Sequence, residues 1–527
     1  MAGGRASRAT RTAGLLLSFG LIAASCAGDA NDASVPNTIP IGTSTTTVTN
    51  TAAAPAGAIE GNAIDGESDP DDLDDVLVAL EADWADRRSQ VVGGLQLDSF
   101  GIDDDNVLSG PDEFEFDLDD CPAEWVDDAG VTSASVRLGV VVAQSGPLAS
   151  FSLLVDGLQA YVDLVNARGG VDGRFVELVV RDDAYDPARA AELVAEFIAA
   201  DDVLGVITVG SPGSLAVHEA LNDACLPQPF VVSAHPAWGD PEDFPFTVGF
   251  ELSHATEALI WGNWIKQNLG DEVPVTVGAL VIDNDFGEIY LERFQAWADD
   301  NPDVIESVEV VRHPPEALDL TEEMAEVADL LPDVFIAMTT GQPCVEAIEG
   351  VQAENLQLRA SALFIPSGCS QPLAYLQPLD DAGDGLLSVG TGSRALNDPD
   401  TIDDDFIRVA RRQIESARLD PDQLLVGLGF AHYGWAHVEL LRIASELPGG
   451  LSRSNMVLAM RNLNLDHPML LDGVGFTTSG ARDAYPIEGA TVRRYNAAEG
   501  EWVATGTVLD LDGATPACDW VGLSCNP

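Results

Sequence analysis

Lysine is almost missing from this chain. Among 527 residues it appears once, at Lys266; Lys+Arg total 25 against Asp+Glu 87, and the formal net charge is −62. No basic run occurs, so a nucleic-acid backbone or an anionic lipid surface is repelled, and nucleic acid is excluded as a partner. Zinc-type spacings (CxxC, HxxxH) are absent, as are a Gly-x-Ser-x-Gly elbow and a paired-carboxylate signature. We therefore expect no catalytic residues, no metal and no cofactor, which leaves an exported hydrolase as the least favoured reading. No apolar run reaches the 20 or so residues that a membrane-spanning helix needs. Hydrophobic residues still make up 46%, enough to bury a core despite the charge.

Arg5, Arg8 and Arg11 precede a short apolar run from Ala13 to Ala24, with no acid before residue 26. This pattern predicts a secretory signal over residues 1–25. Ile22-Ala-Ala-Ser-Cys26 resembles the bacterial lipobox, with Ala23 where Leu is commoner, and implies lipidation of Cys26. Plain cleavage beside an unmodified Cys26 is the alternative. Either places the chain outside the cytoplasm, lipid-anchored at the outer face of the membrane or in the periplasm. Cysteines there tend to pair. Six remain after Cys26, and 15 pairings are open. We expect Cys518–Cys525, which closes a small loop, with Cys344–Cys369 and Cys121–Cys225.

Residues 26–59, rich in Thr and Ala, read as a flexible tether. Residues 60–130 carry 24 acids and two arginines and read as a solvated acidic spacer, although Asp71–Val92 has a helical apolar period through Leu73, Val76, Leu77, Leu80 and Trp84. The Asp103–Glu115 run lacks the glycine and ligand spacing of an EF-hand loop.

From Val136 onward, apolar strands alternate with amphipathic helices. Strands are expected at 136–142, 176–180, 203–209, 230–233, 277–282, 304–311, 334–338 and 363–365. Helices are expected at 151–165, 187–199, 214–222, 255–268, 287–298, 318–330 and 343–352, with long ones at 402–417 and 424–446. Strands that are apolar on both faces and joined by helices predict a parallel sheet covered on each side. So much of this pattern predicts two such lobes.

Ligands in open α/β sheets sit beyond the carboxyl ends of the strands, at helix N-termini. Gln144–Ser150, Gly210–Ser214 and Ser233–Trp238 occupy that position in the first lobe. Three sequence blocks, Leu138-Gly-Val-Val-Val-Ala-Gln-Ser-Gly-Pro147, Val165-Asn-Ala-Arg-Gly-Gly-Val-Asp-Gly-Arg174 and Arg181-Asp-Asp-Ala-Tyr-Asp-Pro187, resemble type I periplasmic binding proteins of the leucine/isoleucine/valine-binding class. Leu204–Ser211 and Val281-Ile-Asp-Asn-Asp-Phe-Gly287 resemble them too. The resemblance covers roughly residues 134–510. It implies an α/β fold of two Rossmann-like lobes with parallel sheets joined by three hinge crossings, placed near 250, 390 and 472. Lobe I then comprises 134–250 plus 391–470, lobe II 251–390 plus 471–510, and 511–527 form a cysteine-containing tail.

The same resemblance implies a substrate-binding lipoprotein of an ABC importer. It would capture a small polar solute (a branched-chain amino acid, an amide, urea or similar) and deliver it to a permease; a ligand-sensing receptor of the same fold is the alternative. It further implies ligand contacts at Phe151, Ser211, Ser214, His235, Ala237, Trp238, Phe286, Thr340 and Ser367. Ser367 falls near the position where amino-acid binders place an acid for the ligand ammonium, so an α-amino acid lacks its partner there. With cations so scarce, the pocket is expected to hold its ligand largely without them.

Overall fold

The computed structural model describes residues 70–272, 274–521 and 524–526. The expected leader, Cys26 and the 26–59 tether lie outside the described residues. Everything below belongs to one compact unit running from Glu67 to Pro527.

Residues 70–130 do not form a solvated spacer. Helix α1 (Pro70–Leu97) buries Leu77, Trp84, Val91 and Leu95 along one face and leaves Asp74, Asp75, Asp83 and Asp86 exposed. Trp84 packs edge-on against Phe406 and Trp435, with ring centroids 5.6 and 5.8 Å apart. Arg88 donates to the fully buried Glu439 at 2.5 Å. A small three-stranded antiparallel sheet between Gly101 and Asp117 follows. The Cys121–Cys225 disulfide then staples the segment to the first lobe, and Trp125 Nε1 donates to the Cys225 carbonyl at 2.9 Å. The acids dominate the composition because they cover the outside of a packed element.

Lobe I is a parallel sheet of β1 (Ser135–Val142), β2 (Phe175–Asp182), β3 (Gly205–Thr208), β4 (Gln228–Val231) and β5 (Thr247–Gly249). Its order is β2-β1-β3-β4-β5, with β3 meeting β4 through the parallel Val209–Val232 bridge. Helices α2 (Ser152–Ala167), α3 (Pro187–Ala200) and α4 (Ser211–Asp223) connect the strands. Lobe II repeats the scheme with β6 (Val275–Ile282), β7 (Ile305–His313), β8 (Val334–Met338), β9 (Ala362–Phe364) and β10 (Leu387–Val389). Its helices are α5 (His254–Asn268), α6 (Asp285–Asp300), α7 (Thr321–Asp329) and α8 (Gln342–Ala353). Two antiparallel strands, β11 (Val492–Asn496) and β12 (Glu501–Ala504), extend that sheet, giving the order β7-β6-β8-β9-β10-β11-β12. The apolar runs become strands because helices cover both faces of each sheet.

Two expectations shift. The chain does not reach lobe II near 472. Phe476 packs with Phe230 and Trp435, and the Tyr485 hydroxyl donates to the Pro236 carbonyl at 2.8 Å. These contacts hold the chain on lobe I until the stretch from Ile487 to Val492. The long helix at 424–446 is interrupted: Leu428–Gly434 is wound as a π-helix between α-helical Leu424–Gly427 and Trp435–Glu446. A Cβ on Gly429 would lie 1.9 Å from the Leu154 carbonyl oxygen, so glycine is required for this segment to pack backbone-to-backbone on α2.

Cys344–Cys369 is also bonded. Cys518 is disulfide-bonded, while the side chain of Cys525, its expected partner, lies outside those described. No described helix is long and apolar enough to cross a membrane.

Candidate ligand-binding cleft

The first-lobe loops are set by β1, β2 and β3. Asp182, at the end of β2, accepts from the backbone N–H of Gln144 at 2.8 Å and of Ser145 at 3.2 Å. Hydrogen bonds from Ser145 and then Gln144 hold its carboxyl down at about 2. The loop bearing Phe151 is therefore pinned to β2. Phe151 meets Tyr185 edge-on at 5.8 Å. Tyr185 has φ +63° and lies across Gly210, where a Cβ would come within 2.5 Å of its ring. Only a glycine lets α4 start so close beneath that aromatic. Ser211 opens α4, and its hydroxyl is 2.8 Å from that of Ser233.

Three expected contacts, Ser214, Ala237 and Trp238, lie elsewhere. The Ser214 hydroxyl points into lobe I and donates to Thr208 Oγ1 at 2.8 Å, which also receives Gln228 Nε2 at 2.8 Å. Ala237 and Trp238 form a buried cluster with Val231, because the 3-10 turn Pro236–Gly239 folds them inward. His235, at the start of that turn, accepts the Ala237 N–H through Nδ1 at 3.1 Å. Burial, and then the charges of His254 and His218, push its pKa down to about 3, so the ring is neutral near pH 7.

On lobe II, Asn284 caps α6 and places Phe286 beside His254 and Tyr290, at 4.9 and 5.1 Å. Phe286 and Thr340 converge on Gly368, where an added Cβ would sit 3.8 Å from each. Ser367, next to it, does not leave its surroundings without an acid. Its N–H and hydroxyl donate to the two oxygens of Glu257, each at 2.7 Å, and the Tyr290 hydroxyl donates to Oε2 at 2.7 Å. Burial raises the Glu257 carboxyl to about 7 against the pull of these donors. Sequence reasoning missed this acid because it reaches Ser367 from α5, in the first turns after Ser253.

Ala234, adjacent to Ser233, and Ser367 both line one cavity of about 430 Å³. All three crossings contribute to it, through Phe250–Leu252, Gly390–Leu396 and Ile487 with Arg493. Phe250, Leu252, Leu396, Leu428 and Ile487 give it apolar walls. Its polar groups include Tyr433, from the π-helical segment, whose hydroxyl donates to Glu251 at 3.0 Å. Glu251 lines the cavity with its side chain accessible, and desolvation there raises its pKa. Two arginines, Arg394 and Arg493, also line the cavity, so the expectation of a pocket almost without cations fails. Sequence position gave no hint of this, because each arginine arrives on a crossing strand far from the binding loops.

Solved structures of known proteins share this arrangement. One is a fatty acid ABC transporter substrate-binding protein from Thermomonospora curvata, 18% identical, with a TM-score of 0.55 and coverage of 74% of this chain and 95% of its own. Another is a branched-chain amino acid ABC transporter protein from Thermus thermophilus with bound valine, at 16% identity and TM-score 0.57, covering 72% and 97%. A solute-binding protein from R. palustris in complex with benzoate matches at 19% identity and TM-score 0.52, covering 73% and 100%. Identities this low speak to the fold. No curated protein matches the chain. A family model described as periplasmic binding protein matches residues 135–500. Two parallel-sheet lobes, three crossings and a cavity at their junction thus agree with a match over most of the chain: it belongs to the periplasmic binding proteins of type I, an extracytoplasmic family that binds solutes for ABC transporters.

Proposed function

We propose that this chain is the substrate-binding lipoprotein of an ABC importer. Anchored through lipidated Cys26 at the outer face of the membrane, it captures a small solute, closes its lobes about the three crossings and passes the solute unchanged to a permease. The observation that carries this reading is the cavity at the junction of the crossings, lined from both lobes and from all three connecting strands. A cavity of about 430 Å³ falls within the range that small-molecule sites usually occupy. Closure is a hinge motion about a few residues, which the crossings supply. Phe151, Ser211 and His235 from lobe I, and Phe286, Thr340 and Ser367 from lobe II, would meet the solute as the lobes close. The named solutes of the three structures, fatty acid, valine and benzoate, define a sensible first panel.

A thermal-shift screen of the purified chain tests this reading. A solute at 100 times its Kd adds about 2.7 kcal/mol of stability. We expect a hit from the panel, widened to amides, urea and sugars, recovered chemically intact by mass spectrometry. No shift with any of them, or conversion of the hit, contradicts the proposal.

A further inference from the structure

Beyond β12 the chain leaves lobe II and returns along the third crossing. Leu509 and Asp510 pair antiparallel with Ala490 and Gly489, and the Leu511 N–H donates to the Glu488 carbonyl at 3.2 Å. Two glycines let these backbones lie so close. A Cβ on Gly489 would come within 3.0 Å of Asp510 Oδ1, and one on Gly392, at φ +71°, within 2.2 Å of the Gly489 carbonyl oxygen. The third crossing therefore touches both the second crossing and the returning segment. None of residues 509–518 lines the cavity at the crossings, so the segment stands apart from the solute site.

The segment then takes hold of both lobes. On the third crossing, the buried Glu488 carboxylate accepts the Thr515 N–H through Oε1 at 2.8 Å and the Gly513 N–H through Oε2. On lobe II, the Thr515 hydroxyl lies 2.9 Å from that of Thr256, in the first turn of α5, and both residues are buried. On lobe I, Asp512 accepts from the Thr477 hydroxyl, and the Cys518 N–H donates to the Gly239 carbonyl at 2.8 Å. A hairpin of Asp519–Val521 and Ser524–Asn526 then lies against α6. Separating a buried pair such as Thr256 and Thr515 leaves two unsatisfied hydroxyls, which is unfavourable. Hinge motion is absorbed by a few residues that change φ and ψ freely, and a crossing strand paired along its edge has less of that freedom. We propose that residues 509–518 form a strap, a fourth connection across the junction, that restricts how far the two lobes swing. Any large change of interlobe angle must carry the strap along or break its bonds to one lobe. This inference rests on the hinge reading above and adds a built-in restraint to it.

The test is single-molecule energy transfer, without solute, between dyes placed on the purified chain at the exposed Glu192 of α3 and Glu349 of α8. Removal of residues 509–527 should broaden the distribution of interlobe distances by about twofold or more. The double variant Glu488→Gln/Thr515→Val keeps the tail and should broaden it too, by less. A folded truncated chain with an unchanged distribution overturns the proposal. Where truncation prevents folding, an unchanged distribution in the double variant overturns it. Hydrogen exchange on the unaltered chain needs no variant to fold. The amides of Thr515 and Cys518 should exchange as slowly as those of the third crossing, and exchange at the rate of an unbonded amide overturns the strap. No solute enters these measurements. A failed strap therefore leaves the solute-binding reading standing, and silence across the thermal-shift panel overturns that reading without touching the strap.

Discussion

Ser367 donates twice to Glu257, once from its backbone and once from its hydroxyl, each at 2.7 Å. The loop after β9 is thereby fastened to the start of α5, the first helix beyond the first crossing. The carboxylate that receives both bonds is fully buried and also holds Tyr290. The loop after β9 is thus positioned by an acid from elsewhere in the lobe.

That acid makes stability depend on pH. Glu257 has a folded pKa of about 7, raised from its ordinary 4.5. A raised carboxylate pKa means that the folded state holds the proton more tightly, so its contribution is full below the unfolded value and is lost as pH rises through 4.5 to 7. The shift corresponds to roughly 3 kcal/mol at about 1.4 kcal/mol per unit. Denaturant melts from pH 4.5 to 8 should show a smaller fall for Glu257→Gln than for the unaltered chain. Parallel profiles contradict the assignment. The comparison must be between the two chains, because buried His254 and His432, each lowered to about 4, bias the overall profile the opposite way.

Two neighbouring serines separate recognition from architecture. Ser211 has its hydroxyl 2.8 Å from Ser233 at the cleft, whereas Ser214 bonds to Thr208 inside lobe I. Ser211→Ala should weaken binding of any hit with little loss of stability. Ser214→Ala should lower stability by about 1–2 kcal/mol, the cost of unsatisfied buried partners, and leave affinity unchanged. Titration and melting of both variants check this, and a reversed pattern contradicts it.

The N-terminal segment should behave as part of the core. Trp84 is nearly inaccessible and touches two rings from the C-terminal half. Trp84→Ala should cost about 3–5 kcal/mol. A loss below 1 kcal/mol in a denaturant melt would mean that α1 adds nothing to the fold.

Much of the fold was legible from periodicity. Apolar runs such as Val136–Val142 and Val334–Met338 alternate with amphipathic helices, and those local signals marked strands and helices within a few residues. The disulfides Cys344–Cys369 and Cys121–Cys225 were also anticipated. What stayed hidden depends on distant partners. Glu257 and Ser367 are 110 residues apart. Arg493 became a cavity residue only through its pairing beside Ser388. The acids around α1 masked a buried face whose partners, Phe406 and Trp435, lie more than 300 positions downstream. The third crossing was misplaced because aromatic packing of Phe476, which no local pattern announces, keeps the chain on lobe I.

Small-angle scattering of the purified chain, with and without a saturating solute from the screen, tests the central claim most directly. One solute per chain should shrink the radius of gyration as the lobes close around the cavity at the crossings, and the solute should be recovered unchanged. A solute that binds there without changing the shape of the chain, or that is consumed, contradicts the account.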